Sequence, residues 1–211
     1  MAKDTREKIL TAALEMFSKK GYAGTNIREL SASLGLVKSG LYKHFESKEA
    51  IWNALLDEMI EYYADRFGSA EHLPPVPESL EELVIMTMRM VNATVLDEKI
   101  VMTRKVLTIE QFRDARAREL ATKHFLTGLI DIFTPVFRGM MEKGLIRRDD
   151  PGMVAFVYTA PISELIRLCD REPEKTEYAM VQIESFSRHF IGIYGAVDNT
   201  KESDVQQEVL R

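Results

Sequence analysis

Residues 25–48 hold two short apolar-faced segments separated by one glycine-centred break, and that spacing restricts the region to two helices joined by a tight turn. Thr25 can cap a helix whose Ile27, Leu30 and Leu34 recur at three- and four-residue intervals, the period of one buried helical face. Leu34-Gly35-Leu36 breaks it, because glycine accepts the left-handed backbone that ends a helix. The chain restarts as Lys38-Ser39-Gly40-Leu41-Tyr42-Lys43-His44-Phe45. Leu41 and Phe45 stand four apart and face inward, which leaves Lys38, Ser39, Tyr42, Lys43 and His44 outward. Each of these can donate to a phosphate oxygen or a base edge, so the spacing predicts a DNA-reading second helix.

At these residues the chain resembles the TetR family of one-component bacterial transcription regulators, over about the first fifty residues. The features that carry the resemblance are a first helix ending in Phe17, then Gly21-Tyr22, Thr25, Ile27-Arg28-Glu29-Leu30, Gly35, Leu41-Tyr42, His44-Phe45 and Ser47-Lys48-Glu49. Three positions depart from the common pattern: Ser31, Val37 and Gly40. Val37 removes a cap and phosphate donor, and Gly40 costs about 1 kcal/mol of helix propensity relative to Ala. The resemblance implies an all-α fold, a three-helix DNA-binding domain followed by a helical effector-binding and dimerisation domain. Tyr42 and His44 are expected at phosphates, while Lys38, Ser39, Lys43 and Arg28 face base edges. Thr25, Asn26 and Lys48 sit at helix starts, where backbone donors also attract phosphate.

A net charge of -5 is at odds with a nucleic-acid partner until it is divided along the chain. Residues 1–50 hold nine Lys and Arg against six Asp and Glu, a net of +3, and the remainder holds nineteen against twenty-seven, a net of -8. A basic amino-terminal module on an acidic body suits DNA approached from one end, and the acidic body favours a neutral or cationic effector. No apolar run of about 18 residues stands out and the first residues lack the apolar stretch of a signal peptide, so a cytoplasmic protein without a membrane partner is expected. Cys169 is the sole cysteine, which excludes an internal disulfide and reads as a small core residue rather than a redox switch. No HExxH, Glu-x-x-His pair, phosphate-binding glycine loop or GxSxG turn is present, so no enzyme activity, metal or cofactor is expected.

Helical periodicity continues through nearly all of the chain. A first helix is expected over residues 5–20, a fourth from Ser47 to about residue 68, and a loop at the proline-rich residues 73–77. Ser79 and Glu82 form a capping box, Asp114 caps a long helix ending at Lys143-Gly144, Asp150-Pro151 opens the next, and Pro173 opens the last. The domain division is residues 3–63 for the DNA-binding part (motif 26–45), 64–195 for effector binding and dimerisation, and 196–211 for a polar tail expected to fray.

In TetR-like proteins the last two long helices pair with their twins, so a homodimer is implied; Met153, Phe156, Val157 and the aromatic face of the last helix supply apolar area for it. Pro135 and Pro161 interrupt two helices, and an apolar effector cavity is expected at their bends, lined by Met90, Arg104, Phe125, Phe133 and Tyr158. The expected protein is a sequence-specific, ligand-released repressor acting on a double-stranded operator. The alternative is a helical small-molecule-binding or interaction protein that has lost DNA binding.

Overall fold

The computed structural model describes residues 2–67 and 73–196. Ten α-helices form it: α1 Ala2–Gly24, α2 Ile27–Ser33, α3 Lys38–Tyr42, α4 Lys48–Phe67, α5 Leu80–Leu96, α6 Glu98–Glu110, α7 Ala115–Thr122, α8 Gly128–Glu142, α9 Pro151–Arg171 and α10 Thr176–Tyr194. A π turn, Lys123–Thr127, joins α7 to α8, and a 3-10 turn, Pro173–Lys175, precedes α10. Among the described residues there is no strand, only a single antiparallel bridge between Ile146 and Gly195. The tail beyond Ala196, expected to fray, lies outside the described residues.

Local chemistry sets most helix ends. Ser79 Oγ accepts from Glu82 N, while the Glu82 carboxylate takes the Glu78 N–H at 2.6 Å. Asp97, Asp114 and Asp150 each accept an N–H of the first turn of α6, α7 and α9. These bonds satisfy donors that an uncapped helix leaves open. The first reader cap differs from expectation: Asn26, not Thr25, caps α2, its Oδ1 accepting from Arg28 N at 2.8 Å. Thr25 is 3% exposed and donates its hydroxyl to Gly21 O at 2.9 Å, because the turn after α1 folds it inward. The long helix predicted from Asp114 to Lys143 is interrupted by the π turn, which periodicity does not indicate.

Two hydrophobic clusters hold these helices. The first joins Phe17, Leu30, Leu41, Trp52 and Leu56 of the amino-terminal helices to Val106, Leu107, Ala117, Leu120 and Ala121 of α6 and α7. The second lies among α5, α8, α9 and α10 around Phe137, Tyr158, Ile183 and Phe190. By length and mean composition alone α9 is apolar enough to cross a membrane, although Glu164, Arg167 and Asp170 interrupt it. Its inner side packs against α8 and α10, while Met153, Phe156 and Val157 are left exposed on its outer side.

Gly21 has φ 70° and ψ 173°, a conformation that only glycine adopts freely, and a Cβ there would lie 2.6 Å from Glu110 Oε1. Gly35 has φ +66° but meets nothing within 4 Å. Both positions therefore carry backbone strain on substitution and only the first also carries a clash. Gly21→Ala should destabilise the fold by more than about 2 kcal/mol and Gly35→Ala by about 1–2 kcal/mol, read from urea unfolding midpoints. Equal losses would contradict the role given to the Glu110 contact.

Candidate functional site

The second helix of the predicted helix-turn-helix is short, and its neighbours orient it. Gly35 ends α2, and Leu36 N returns to Ser31 O at 2.9 Å, so the chain turns back before α3 begins. Ser31 Oγ bonds Ile27 O, which lets a hydroxyl sit in the small buried space between helices. Leu41 is fully buried and Phe45 nearly so, and both anchor α3 and the turn after it from below. Arg28, Lys38, Ser39, Tyr42 and Lys43 remain exposed on the outer side, with Asn26 exposed at the α2 cap. Lys38 Nζ stands 5.5 Å from the Tyr42 ring centre, so the two form one cationic and aromatic edge. His44 is half-buried just beyond α3.

Two predicted contacts are placed differently. Thr25 is buried, with its N–H on Tyr22 O at 3.3 Å and its hydroxyl on Gly21 O, so neither of its donors is open to a phosphate. Lys48 is half-buried with Nζ 4.3 Å from the Tyr22 ring centre, and burial lowers its pKa while nearby Glu110 opposes that shift. Its ammonium thus belongs in part to the joint between reader and body. Val37 offers more than a lost cap. It has no side-chain cap bond and is 73% exposed at the head of α3, an apolar group left in water there.

That joint is built on α6 and α7. Glu110, 3% exposed, accepts the Tyr22 N–H at 2.8 Å. Trp52 Nε1 donates to Asp114 Oδ2 at 3.1 Å, and Arg116 pairs with Asp57. These groups grip the end of α1 and one side of α4.

A cavity of about 360 Å³ lies further along α4. Ile60, Tyr63 and Ala64 of α4 contribute one wall, and Met90, Arg104, Phe125 and Phe133 of the predicted set contribute others. Tyr158 does not line it: the side chain is fully buried in the second cluster, and its hydroxyl meets Thr87 Oγ1 at 2.8 Å and donates to Ser187 Oγ at 3.1 Å. Arg104 lines the wall but is already occupied, with Nε and Nη2 on the two Asp170 oxygens at 2.6 and 2.7 Å and Nη1 on Thr94 O at 2.9 Å. Neither Pro135 nor Pro161 is on the wall; the interruption beside the cavity is the π turn, which presents His124 and Phe125 to it. The sequence signal for that turn is Gly128, where a Cβ would meet Lys123 O at 2.6 Å.

Charge near the cavity also departs from the acidic average of the body, since Lys123, Arg104 and Arg167 line it against Asp131. Asp170 behind Arg104 and Glu164 beside Arg167 balance two of these, so the acidic net charge of the body does not set the charge a ligand meets here. Cys169 is buried with Sγ on Leu165 O, and burial raises its pKa, which keeps it a thiol.

Residues 9–55 match the family model described as bacterial regulatory proteins, tetR family. The biofilm operon negative transcriptional regulator IcaR of Staphylococcus epidermidis is 35% identical over 60 residues, 28% of this chain and 32% of that protein. The chain thus spans about a third or less of the curated relatives it matches. Two solved structures share the fold over nearly the whole chain. One is a putative transcriptional regulator of Saccharomonospora viridis in complex with choline, TM-score 0.68, 18% identical, covering 90% of this chain and 96% of that one. The other is SmeT, the repressor of the Stenotrophomonas maltophilia multidrug efflux pump SmeDEF, TM-score 0.64, 18% identical, covering 90% of both chains.

His124 gives a pH prediction. Burial first, then Lys123 and Arg104, lower its pKa from 6.5 to about 4. The unfolded chain then binds a proton that the folded chain refuses as pH falls through that interval. Stability present above pH 6.5 should be lost down to pH 4, by up to about 3 kcal/mol at about 1.4 kcal/mol per pH unit. His124→Phe should remove this part of the pH dependence of the urea midpoint; a profile that keeps its full slope would assign the loss to other groups.

Proposed function

We propose, from the match of residues 9–55 to the tetR family model, that the chain is a homodimeric DNA-binding repressor of that family, released by a small, largely apolar effector. The observation that carries this reading is the exposed row Arg28, Lys38, Ser39, Tyr42 and Lys43 above a buried Leu41. An interaction protein that had lost DNA binding has no evident use for so many outward donors gathered on α2, α3 and the residue after it. Tyr42 and His44 hold phosphates, while Arg28, Lys38, Ser39 and Lys43 read base edges; Asn26 N-caps the supporting helix at the groove wall. Thr25 and Lys48 support this surface from behind. Such a protein works where the DNA is, in the cytoplasm.

Dimerisation follows from the outer faces of α9 and α10. Met153, Phe156 and Val157 on one helix and Tyr178 and Val181 on the other are exposed apolar groups that a monomer leaves in water. A twofold pairing of these faces resembles a core cut in half, typically above about 2,000 Å² in total. Two readers held by one interface can dock on half-sites about 34 Å apart only at one separation.

Release uses the two helices that touch both ends of the molecule. The α4 helix carries Trp52 and Leu56 in the reader core and Tyr63 on the cavity wall. The α6 helix carries Arg104 on the wall and Glu110 on the Tyr22 amide. A ligand that prefers one tilt of these helices shifts the spacing of the readers. The neighbour solved with choline raises a cationic effector as a second class, and among the described residues this wall carries no unpaired carboxylate inside the cavity to receive one.

The test is an electrophoretic shift on DNA flanking its own gene. Tyr42→Phe should weaken all sequences alike, whereas Lys43→Ala should change preference at one operator position by about 1–3 kcal/mol. Unchanged affinity and preference in both would overturn the assignment. Phe156→Glu with Val181→Glu should give a monomer by light scattering and weaken operator binding by about a hundredfold or more, since the second half-site is then no longer tethered. A dimer in that double variant would move the interface elsewhere.

A further inference from the structure

The cavity beside α4 has polar groups on its wall, and nearly all of them are already engaged. Arg104 is 3% exposed and closed into a two-pronged pair with Asp170. Thr94, Thr159 and Ser163 each donate their hydroxyl proton to a backbone carbonyl, of Met90, Ala155 and Phe125 respectively. Lys123 and Asp131, of opposite charge, are exposed, and Arg167 lies over the Phe125 ring and near Glu164. Among the described residues the interior therefore offers no uncompensated charge.

His124 stands apart. It is 7% exposed, lines the cavity, lies 3.9 Å from the Tyr63 ring centre, and its Nδ1 has no hydrogen-bond partner. Among the described residues this is the only buried side-chain nitrogen or oxygen so left. It sits in the π turn, a helix irregularity that recurs at functional sites. Buried polar groups in native proteins are otherwise nearly always paired, so an unpaired one on a cavity wall asks for a partner that enters the cavity. A neutral imidazole carries one N–H and one lone pair, and a hydroxyl satisfies either, by accepting from the first or donating to the second.

We propose that this cavity takes a neutral, mainly apolar ligand bearing one hydroxyl, and that His124 is the side chain that hydrogen-bonds that hydroxyl. At about 360 Å³ the space suits a small ligand, at the lower end of known sites. The proposal rests on reading this cavity as the effector site. The low pKa of His124 is consistent with it, because a neutral ring neither needs nor rewards a charged ligand.

The probes are para-hexylphenol, hexylbenzene, para-hexylbenzoate and hexyltrimethylammonium, titrated against the full chain by calorimetry and thermal shift. The phenol should bind, and hexylbenzene should bind at least about tenfold more weakly, because a site that bonds a hydroxyl rejects the analogue without one. His124→Phe should bind the two equally while keeping its circular dichroism and operator affinity. Hexylbenzene or either ion binding as tightly as the phenol, or no probe binding, overturns the proposal on the unaltered protein, whatever the variant does. An electrophoretic shift with the phenol separates the underlying reading: binding through His124 without DNA release leaves the ligand chemistry standing and removes the effector role.

Discussion

The contact on which the arrangement depends is the Glu110 carboxylate against the Tyr22 amide, just after the bend at Gly21. A buried carboxylate is unfavourable unless it is hydrogen-bonded or faces positive charge, and here it has the amide and the nearby Lys48. The bend gives the amide its direction, and the missing Cβ at Gly21 leaves the carboxylate its space. Because Glu110 ends α6, the reader is fastened to a helix that also passes the cavity. Arg104 and Glu110 are six residues apart, roughly 9 Å along the helix axis, so a shift at one is felt at the other within a rigid element.

The reader cannot be treated as a separate bead on this body. Its hydrophobic core is closed by Val106, Leu107, Ala117, Leu120 and Ala121, which come from α6 and α7. A five-residue α3 has no independent stability, since helix nucleation is unfavourable at that length. It persists because Leu41 is sealed into this shared core and Phe45 closes the turn after it, with the Arg6 guanidinium 4.9 Å from the Phe45 ring centre. Order in α3 is thus borrowed from α6 and α7, far along the chain.

Charge is organised on the scale of single contacts. The acidic average of the body does not describe the cavity, whose wall carries three basic side chains and Asp131, with Asp170 behind Arg104. The ion pairs on the outer surface, such as Lys8 with Asp4 and Arg188 with Glu81, are solvent-exposed and contribute little. The buried Arg104–Asp170 pair differs: it joins α6 to α9, and removal of either partner would strand a charge in the interior.

Features set within one turn of helix are legible in the chain itself. Ser79, Asp114 and Asp150 cap, Gly35 and Gly144 end helices at positive φ, and the outward set Lys38, Ser39, Tyr42 and Lys43 follows from the buried Leu41 and Phe45. Each depends on neighbours a few residues away, which sequence spacing encodes. Where contacts join distant segments, spacing is silent or misleading. Thr25 and Asn26 both cap by type, Asn the better, and the bonds of Thr25 to Gly21 O and Tyr22 O turn it inward. Tyr158 and Arg104 read alike as polar groups on apolar helices; Thr87 and Ser187, then Asp170, have to arrive from 29 to 71 residues away to withdraw the first from the cavity and occupy the second. The sequence alone determined an all-helical chain with an outward basic and aromatic face on its second and third helices. The tertiary structure decided which side chains remain unpaired, because a hydrogen bond is completed by whatever the fold brings within about 3 Å, and pairing of that kind has no period along the chain.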